Sequence, residues 1–259
     1  MSSERVWAYA ETARVGLRDH LAANPWRLSV LTSWPRGVLQ CLMYTLLGAV
    51  GTQGGESFAF VGAVALAVAP PASVGVATVL LTDRTMGTYT RLRLGRLPTV
   101  AVLGLRSLPW LAEAMITMVL SAVCVGAVIG QLPLGVRLLA LWPVFLLMVA
   151  TSMAAALALT VLGVGHDLEI MLGNSLVYLI IAAGGIVGPA ARVPWLDDLG
   201  VVLPVRNGLL ALRALLAGRP WQGHLLAEVA VGAAWAVAAW LAHRWHEKRA
   251  RHDGRNAFD

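Results

Sequence analysis

Two carboxylates, Glu113 and Glu228, stand inside long apolar runs, where an ionised side chain is costly to hold and marks a site by default. Glu113 lies seven residues beyond Arg106 and Glu228 seven beyond Trp221, which at about 1.5 Å per helical residue sets each roughly 10 Å from an end of its run. Those ends face opposite sides of a membrane, so the two are poor candidates for one shared site. Each has a functional and a structural reading. Glu113 is a substrate-pathway charge, or else the ion-pair partner of Arg106 or a snorkelled side chain, and Glu228 is a pathway charge or the buried partner of an outer Arg such as Arg213 or Arg219.

Two polar connections carry the remaining chemistry. His166, Asp167 and Glu169 share one short loop, a donor set too local to converge on a metal ion, so no metal is expected and the loop reads as a solvated cap or a contact for a basic partner. The stretch Asp83, Arg84, Thr85, Met86, Gly87, Thr88 has a turn at its centre. Gly87 accepts left-handed backbone and ends one helix, while the Thr88 hydroxyl is placed to hold a free N–H of the next. Tyr89 to Leu97, with Arg91 and Arg93, is expected to follow as a short basic helix along the membrane surface, a lipid-facing basic loop being the equal alternative, and Arg84 is read as a single exposed charge.

Equally informative are the motifs that do not occur. A phosphate-binding loop needs Lys after its glycines, and the one lysine is Lys248, preceded by Glu247 near the C-terminus, so no ATP-hydrolysing site is expected in this chain. No G-x-S-x-G elbow or H-E-x-x-H pair occurs, and no catalytic residue is assigned. Cys41 and Cys124 fall in apolar runs and are read as small packing residues.

The elements that must position these residues are membrane helices. Of 259 residues, 58% are hydrophobic and 13% charged, and the mean hydropathy is +0.71, more apolar mass than a water-soluble fold hides. Six stretches reach the roughly 20 residues needed to cross hydrocarbon. They are 28–50, 58–81, 107–129, 138–162, 170–187 and 222–242. Before them, Val6, Ala10, Ala13, Leu17 and Leu21 recur every three or four residues among charged neighbours, the pattern of an amphipathic helix lying in the interface plane and ended by Asn24 and Pro25. Residues 1–27 contain no continuous apolar run before a small-residue cleavage site, so the first span is expected to act as the targeting signal.

The net charge of +6 is explained by topology, because the basic residues cluster between spans and carry no nucleic-acid-binding motif. Fifteen of the twenty Lys and Arg residues fall on one side and five on the other, which places both termini in the cytoplasm of a multi-pass cell-membrane protein. The chain therefore divides into an N-terminal cytoplasmic helix (1–25), a six-span domain (26–242) and a basic cytoplasmic tail (243–259). The outer segment 188–221 is too polar for a span, yet its apolar pieces are broken by Pro189, Pro194, Pro204 and Pro220, so it is either a surface loop or, as the apolar run Leu209 to Leu216 favours, a segment that enters the bilayer and returns.

An amphipathic first helix, six spans, the turn Asp83, Arg84, Gly87, Thr88 after the second span, and the outer segment Gly188, Pro189, Pro194, Pro204, Arg213, Gly218 before the last together resemble the type-two ABC transporter permease family, most closely its daunorubicin-exporter-like drug-efflux branch. Thr85 stands where that family usually has a second acidic residue, and Tyr89 where it commonly has Leu. The resemblance implies an all-α integral membrane fold with two re-entrant helices, about 195–203 and 205–217, before the last span. It also implies a second permease, identical or related, and a separate cytoplasmic nucleotide-binding subunit that carries ATP and magnesium. The expected activity is export of an amphipathic drug-like or lipid-linked compound. Coupling to that subunit would run through Asp83, Arg84, Gly87, Thr88 and Arg91, the N-terminal helix and the loop His166, Asp167, Glu169. The rival expectation is a proton-coupled secondary transporter that uses Glu113 or Glu228.

Overall fold

A computed structural model describes residues 3–51, 55–95, 97–164, 166–186 and 194–253. Among these every regular element is a helix. We number them α1 Ser3–Ala23, α2 Trp34–Gly51, α3 Gly55–Thr85, α4 Thr88–Leu94, α5 Thr99–Val128, α6 Leu132–Ala140, α7 Trp142–Gly163, α8 Glu169–Ala183, α9 Pro194–Val202, α10 Arg206–Leu216 and α11 Gln222–Asp253. A short turn, Trp26–Leu28, and a π-helical stretch, Ser29–Ser33, lead directly into α2.

Among the described residues four helices are long and apolar enough to cross a membrane: α3, α5, α7 and the Gln222–Arg249 part of α11. The pair α9 and α10 makes a fifth if counted together, although the two are bent 94° from one another. Helix α2 and the 15-residue α8 fall short of that standard. In α2 the cause is Arg36, Gln40 and several small or hydroxyl residues. The chain is thus all-helical and membrane-embedded in character, the architecture that satisfies backbone polar groups without water.

Helices α3 and α7 form the centre. Helix α3 packs against α2, α5, α7 and α8, and α7 against α3, α8, α10 and α11. Phe60, Leu66, Phe145, Met148, Leu176 and Ile180 fill the space between them and are essentially fully buried. Small residues let the backbones approach, as is usual where lipid offers no hydrophobic gain to drive association. A Cβ on Gly75 would collide with the Trp110 ring, and one on Gly232 with the Thr151 side chain. Helix α11 is outermost and leaves Leu226, Val229, Val237 and Leu241 exposed.

Prolines set several boundaries. Pro143 occupies the first turn of α7, where its missing N–H costs nothing, so α7 begins at Trp142. The apolar run expected from residue 138 is divided at Leu141 between α6 and α7. Helix α5 starts at Thr99, just after Pro98, earlier than the expected residue 107. Pro70 and Pro71 bring no N–H for the carbonyls four residues back, and α3 breaks there into Gly55–Leu66 and Ala69–Thr85. The last helix continues without interruption to Asp253, so the start of the expected tail is helical and partly packed. His243 is buried, and the Thr99 hydroxyl donates to the Glu247 carboxylate at 2.6 Å.

Helix α1 lies against α5. Gly16 is its buried contact, sitting where a Cβ would strike the Arg106 backbone, whereas Val6, Leu17 and Leu21 of the expected apolar stripe stay exposed. An apolar stripe turned away from the protein is what an interfacial helix presents to lipid.

Candidate functional site

Three features carry the chemistry: a cavity beside Glu113, an ion-pair network at the end that carries α1, and the buried Glu228 carboxylate with its donors.

The cavity, about 430 Å³ and partly open at the surface, lies among α2, α3, α5 and α8. From α2 it takes Arg36, Gln40 and Tyr44, three polar residues at spacings of four that share one helix face. Helix α3 contributes Leu66, Ala67, Pro70 and Pro71 at its break, α5 contributes Trp110, Glu113 and Thr117, and α8 contributes Asn174, Val177 and Tyr178. Irregular backbone at membrane depth is tolerated where it lines a cavity, and the α3 break sits at such a place.

Glu113 is held by the segment in front of α2. One carboxylate oxygen accepts from the Ser29 hydroxyl at 2.9 Å and lies 3.6 Å from His20 Nε2, and the other accepts from Trp34 Nε1 at 2.7 Å. His20 also meets the edge of the Trp110 ring, with centroids 4.7 Å apart. Glu113 thus fastens α1 and the entry to α2 onto α5, and its partner is not Arg106. Arg36, by contrast, is exposed and makes no ion pair or hydrogen bond among the described residues.

Arg106 instead reaches the other way. Its guanidinium pairs with the fully buried Asp83 at the end of α3 and, at 2.7 Å, with Asp19 of α1. Asp83 also accepts from Thr88, through both its carboxylate and its backbone carbonyl at 3.0 Å. The Thr88 hydroxyl is therefore used backwards, onto the end of α3, rather than as a cap on α4. Gly87 has φ of +67°, the left-handed turn expected of it. The helix that follows ends at Leu94, ahead of Gly95 and Pro98, shorter than the expected reach to residue 97. Its Tyr89 is buried with Leu80, Leu103, Val161 and Val164 in a second small core, while Arg91 is exposed.

Arg84 is not the free surface charge its sequence position implies. Its side chain is 12% exposed and reaches Glu169 at 3.0 Å as well as Asp167. Glu169 is fully buried at the start of α8, and His166 and Asp167 are exposed beside it. The turn after α3, the loop before α8 and helix α1 are consequently joined: Arg84 ties the turn to α8, and Arg106 ties it to α1. No group of three or more metal-ligating side chains converges among the described residues.

Glu228 is the third feature. It is fully buried on α11 and accepts from Thr151 at 2.6 Å, from the backbone N–H of Val205 at 3.0 Å and from that of Gly208 at 2.9 Å. The carboxylate therefore caps α10 from a neighbouring helix, at the positive end of its dipole, and neither Arg213 nor Arg219 is its partner. The bend it holds is strained, because Val205 has φ of +78°. Arg206 pairs with Asp197 across the bend, and Trp235 Nε1 donates to the Val202 carbonyl at 2.8 Å. Pro204 is buried at its apex, while Pro194 opens α9. Arg213 stacks on Phe58 with its guanidinium carbon 3.5 Å from the ring centroid, and donates to the carbonyls of Gly185 and Phe58 at 3.0 and 3.3 Å. Gly188 and Pro189 lie outside the described residues.

Among the described residues Glu113 and Glu228 share no partner. Cys41 is buried, as expected of a packing residue, and Cys124 is exposed on α5. Sequence reading missed Gln40 and Tyr44, although a polar residue every fourth position on an otherwise apolar helix was a usable signal. His20, Trp34, Thr151 and the backbone donors of α10 left no such trace. Comparisons of the chain with protein-family models, with curated proteins and with solved structures each find no match.

Proposed function

We propose that this chain is the permease subunit of an ABC exporter, with both termini cytoplasmic and six spans formed by residues 26–51, α3, α5, α7, α8 and α11. In this reading α9 and α10 form a re-entrant pair before the last span, and the chain works with a second permease and a separate cytoplasmic ATPase. It moves an amphipathic small molecule or lipid-linked product outward.

One observation carries the proposal. The three segments named for coupling are joined by Arg84 to Glu169 and by Arg106 to Asp83 and Asp19, so a displacement of any one is passed to the others. Two of the helices they control, α5 and α8, line the cavity. An ATPase that binds one arrangement of this network more tightly than another shifts the population of cavity shapes, which is all that coupling requires. Exposed residues available for that contact include Met86, Arg91, His166 and Asp167.

The test is co-capture. Affinity-tagged chain should bring down a phosphate-loop ATPase that has no membrane spans, and Gly87→Val should weaken that capture while leaving membrane insertion unchanged. The chain purified free of other proteins should not hydrolyse ATP. Hydrolysis by such a preparation, or capture that never yields an ATPase, would overturn the division of labour.

A further inference from the structure

The two charges in the cavity are not equally available to a ligand. Glu113 already accepts from Ser29 and Trp34 and sits beside His20, and its side chain is only 13% exposed. Arg36 is exposed and unpaired among the described residues, and lines the same cavity. Its neighbours offer the Gln40 amide and the Tyr44 and Tyr178 hydroxyls, all able to donate. Beyond them the wall is apolar, formed by Ala63, Leu66, Val74 and Val177, with the Trp110 ring on one side. An unpaired guanidinium next to neutral donors and an apolar wall selects an anion joined to an apolar body, because Arg matches carboxylate and phosphate geometry with two parallel bonds.

We infer that the cavity binds an anionic amphiphile, a molecule whose carboxylate, sulfate or phosphate head pairs with Arg36 and whose apolar part lies between Trp110 and the broken segment of α3. The same chemistry belongs to a soluble amphiphilic acid and to an anionic lipid headgroup entering from the bilayer. Glu113 then has a supporting part: saturated by its own donors, it holds the entry of α2 in place so that the Arg36, Gln40, Tyr44 face meets the cavity. The inference rests on the exporter reading only in treating this cavity as the ligand site.

The experiment uses the full chain in phosphatidylcholine nanodiscs, which carry no net charge, and titrates 11-(dansylamino)undecanoate while following dansyl emission. Dodecyl phosphate and dodecyltrimethylammonium serve as competitors of matched tail and opposite head charge. Saturable binding displaced by dodecyl phosphate is expected. Arg36→Gln should weaken it about tenfold or more, the loss typical of a charge-assisted contact. Arg36→Lys should weaken it much less, and Arg137→Gln, an exposed charge outside the cavity, should leave it unchanged. Phosphatidylglycerol added to the nanodiscs identifies the occupant: competition with the probe assigns the site to a lipid headgroup, and its absence assigns it to a soluble acid. Undiminished binding in Arg36→Gln, or preferential displacement by dodecyltrimethylammonium, would overturn the inference. Either result leaves the exporter reading to be judged by ATPase capture, and loss of that capture with intact probe binding would remove the exporter and keep the anionic site.

Discussion

Removing the carboxylate of Glu228 tests whether an intramembrane acid is a substrate group or part of the frame. In Glu228→Ala the Thr151 hydroxyl still has the Met148 carbonyl, 3.0 Å away, as an acceptor. The N–H groups of Val205 and Gly208 have no such alternative, since both pointed at Glu228. A buried donor left unsatisfied costs about 1–3 kcal/mol, so two cost about 2–6 kcal/mol. The left-handed backbone at Val205, worth about 1–3 kcal/mol of strain, loses the contact that holds it. We therefore expect Glu228→Ala to lower the apparent melting temperature in detergent clearly and to expose the bend near Pro204 to protease. Glu228→Gln keeps one acceptor and turns an NH2 toward a donor, so its effect should fall between wild type and Ala. Adding Thr151→Val to Glu228→Ala should cost less than Thr151→Val alone, because the bond it removes is already gone. A Glu228→Ala protein that melts like wild type would rule out a framing role for this carboxylate. So would a Glu228→Gln protein with wild-type stability and no transport, which would mark Glu228 as a substrate group.

Other expectations follow from the network at the opposite end of the bundle. Arg84→Ala leaves the buried Glu169 without its cation, an uncompensated charge of the kind that costs about 3–5 kcal/mol. Its loss of thermal stability should be large and should be partly restored by Glu169→Gln in the same chain. Gly87→Val meets no neighbour within 4 Å, so its cost is the left-handed backbone alone, about 1–2 kcal/mol. Gly87→Asn, which tolerates that conformation better, should retain ATPase capture where Val does not. Gly16→Leu forces α1 off the Arg106 backbone, and cysteine cross-linking between α1 and α5 should fall accordingly.

What could be read from the sequence was what repeats or what is covalent. The apolar runs announced α3, α5, α7 and α11, the prolines announced the break between α9 and α10, and Gly87 announced a left-handed turn. Partner choice was not readable. The donors to Glu228 are two backbone amides and a threonine 77 residues away, and a backbone N–H leaves no mark in the sequence. Arg84 looked like a surface charge because Glu169 lies 85 positions further on and is buried only once α8 packs beside α3. Charge placement suited Arg106 to Glu113 along one helix, but the guanidinium found Asp83 and Asp19, which lie outside that helix. The cavity depends on four helices at once, and only the polar stripe of α2 hinted at it.

On the exporter reading, ATP spent by a partner, rather than a proton gradient, drives this chain. Inside-out membrane vesicles containing the chain and the proposed ATPase, loaded with 11-(dansylamino)undecanoate from outside, provide the direct measurement. Accumulation should require ATP and persist when an uncoupler collapses the proton gradient. Accumulation that survives ATP removal and vanishes with the uncoupler would rule out ATP-driven export and leave a proton-coupled transporter in its place.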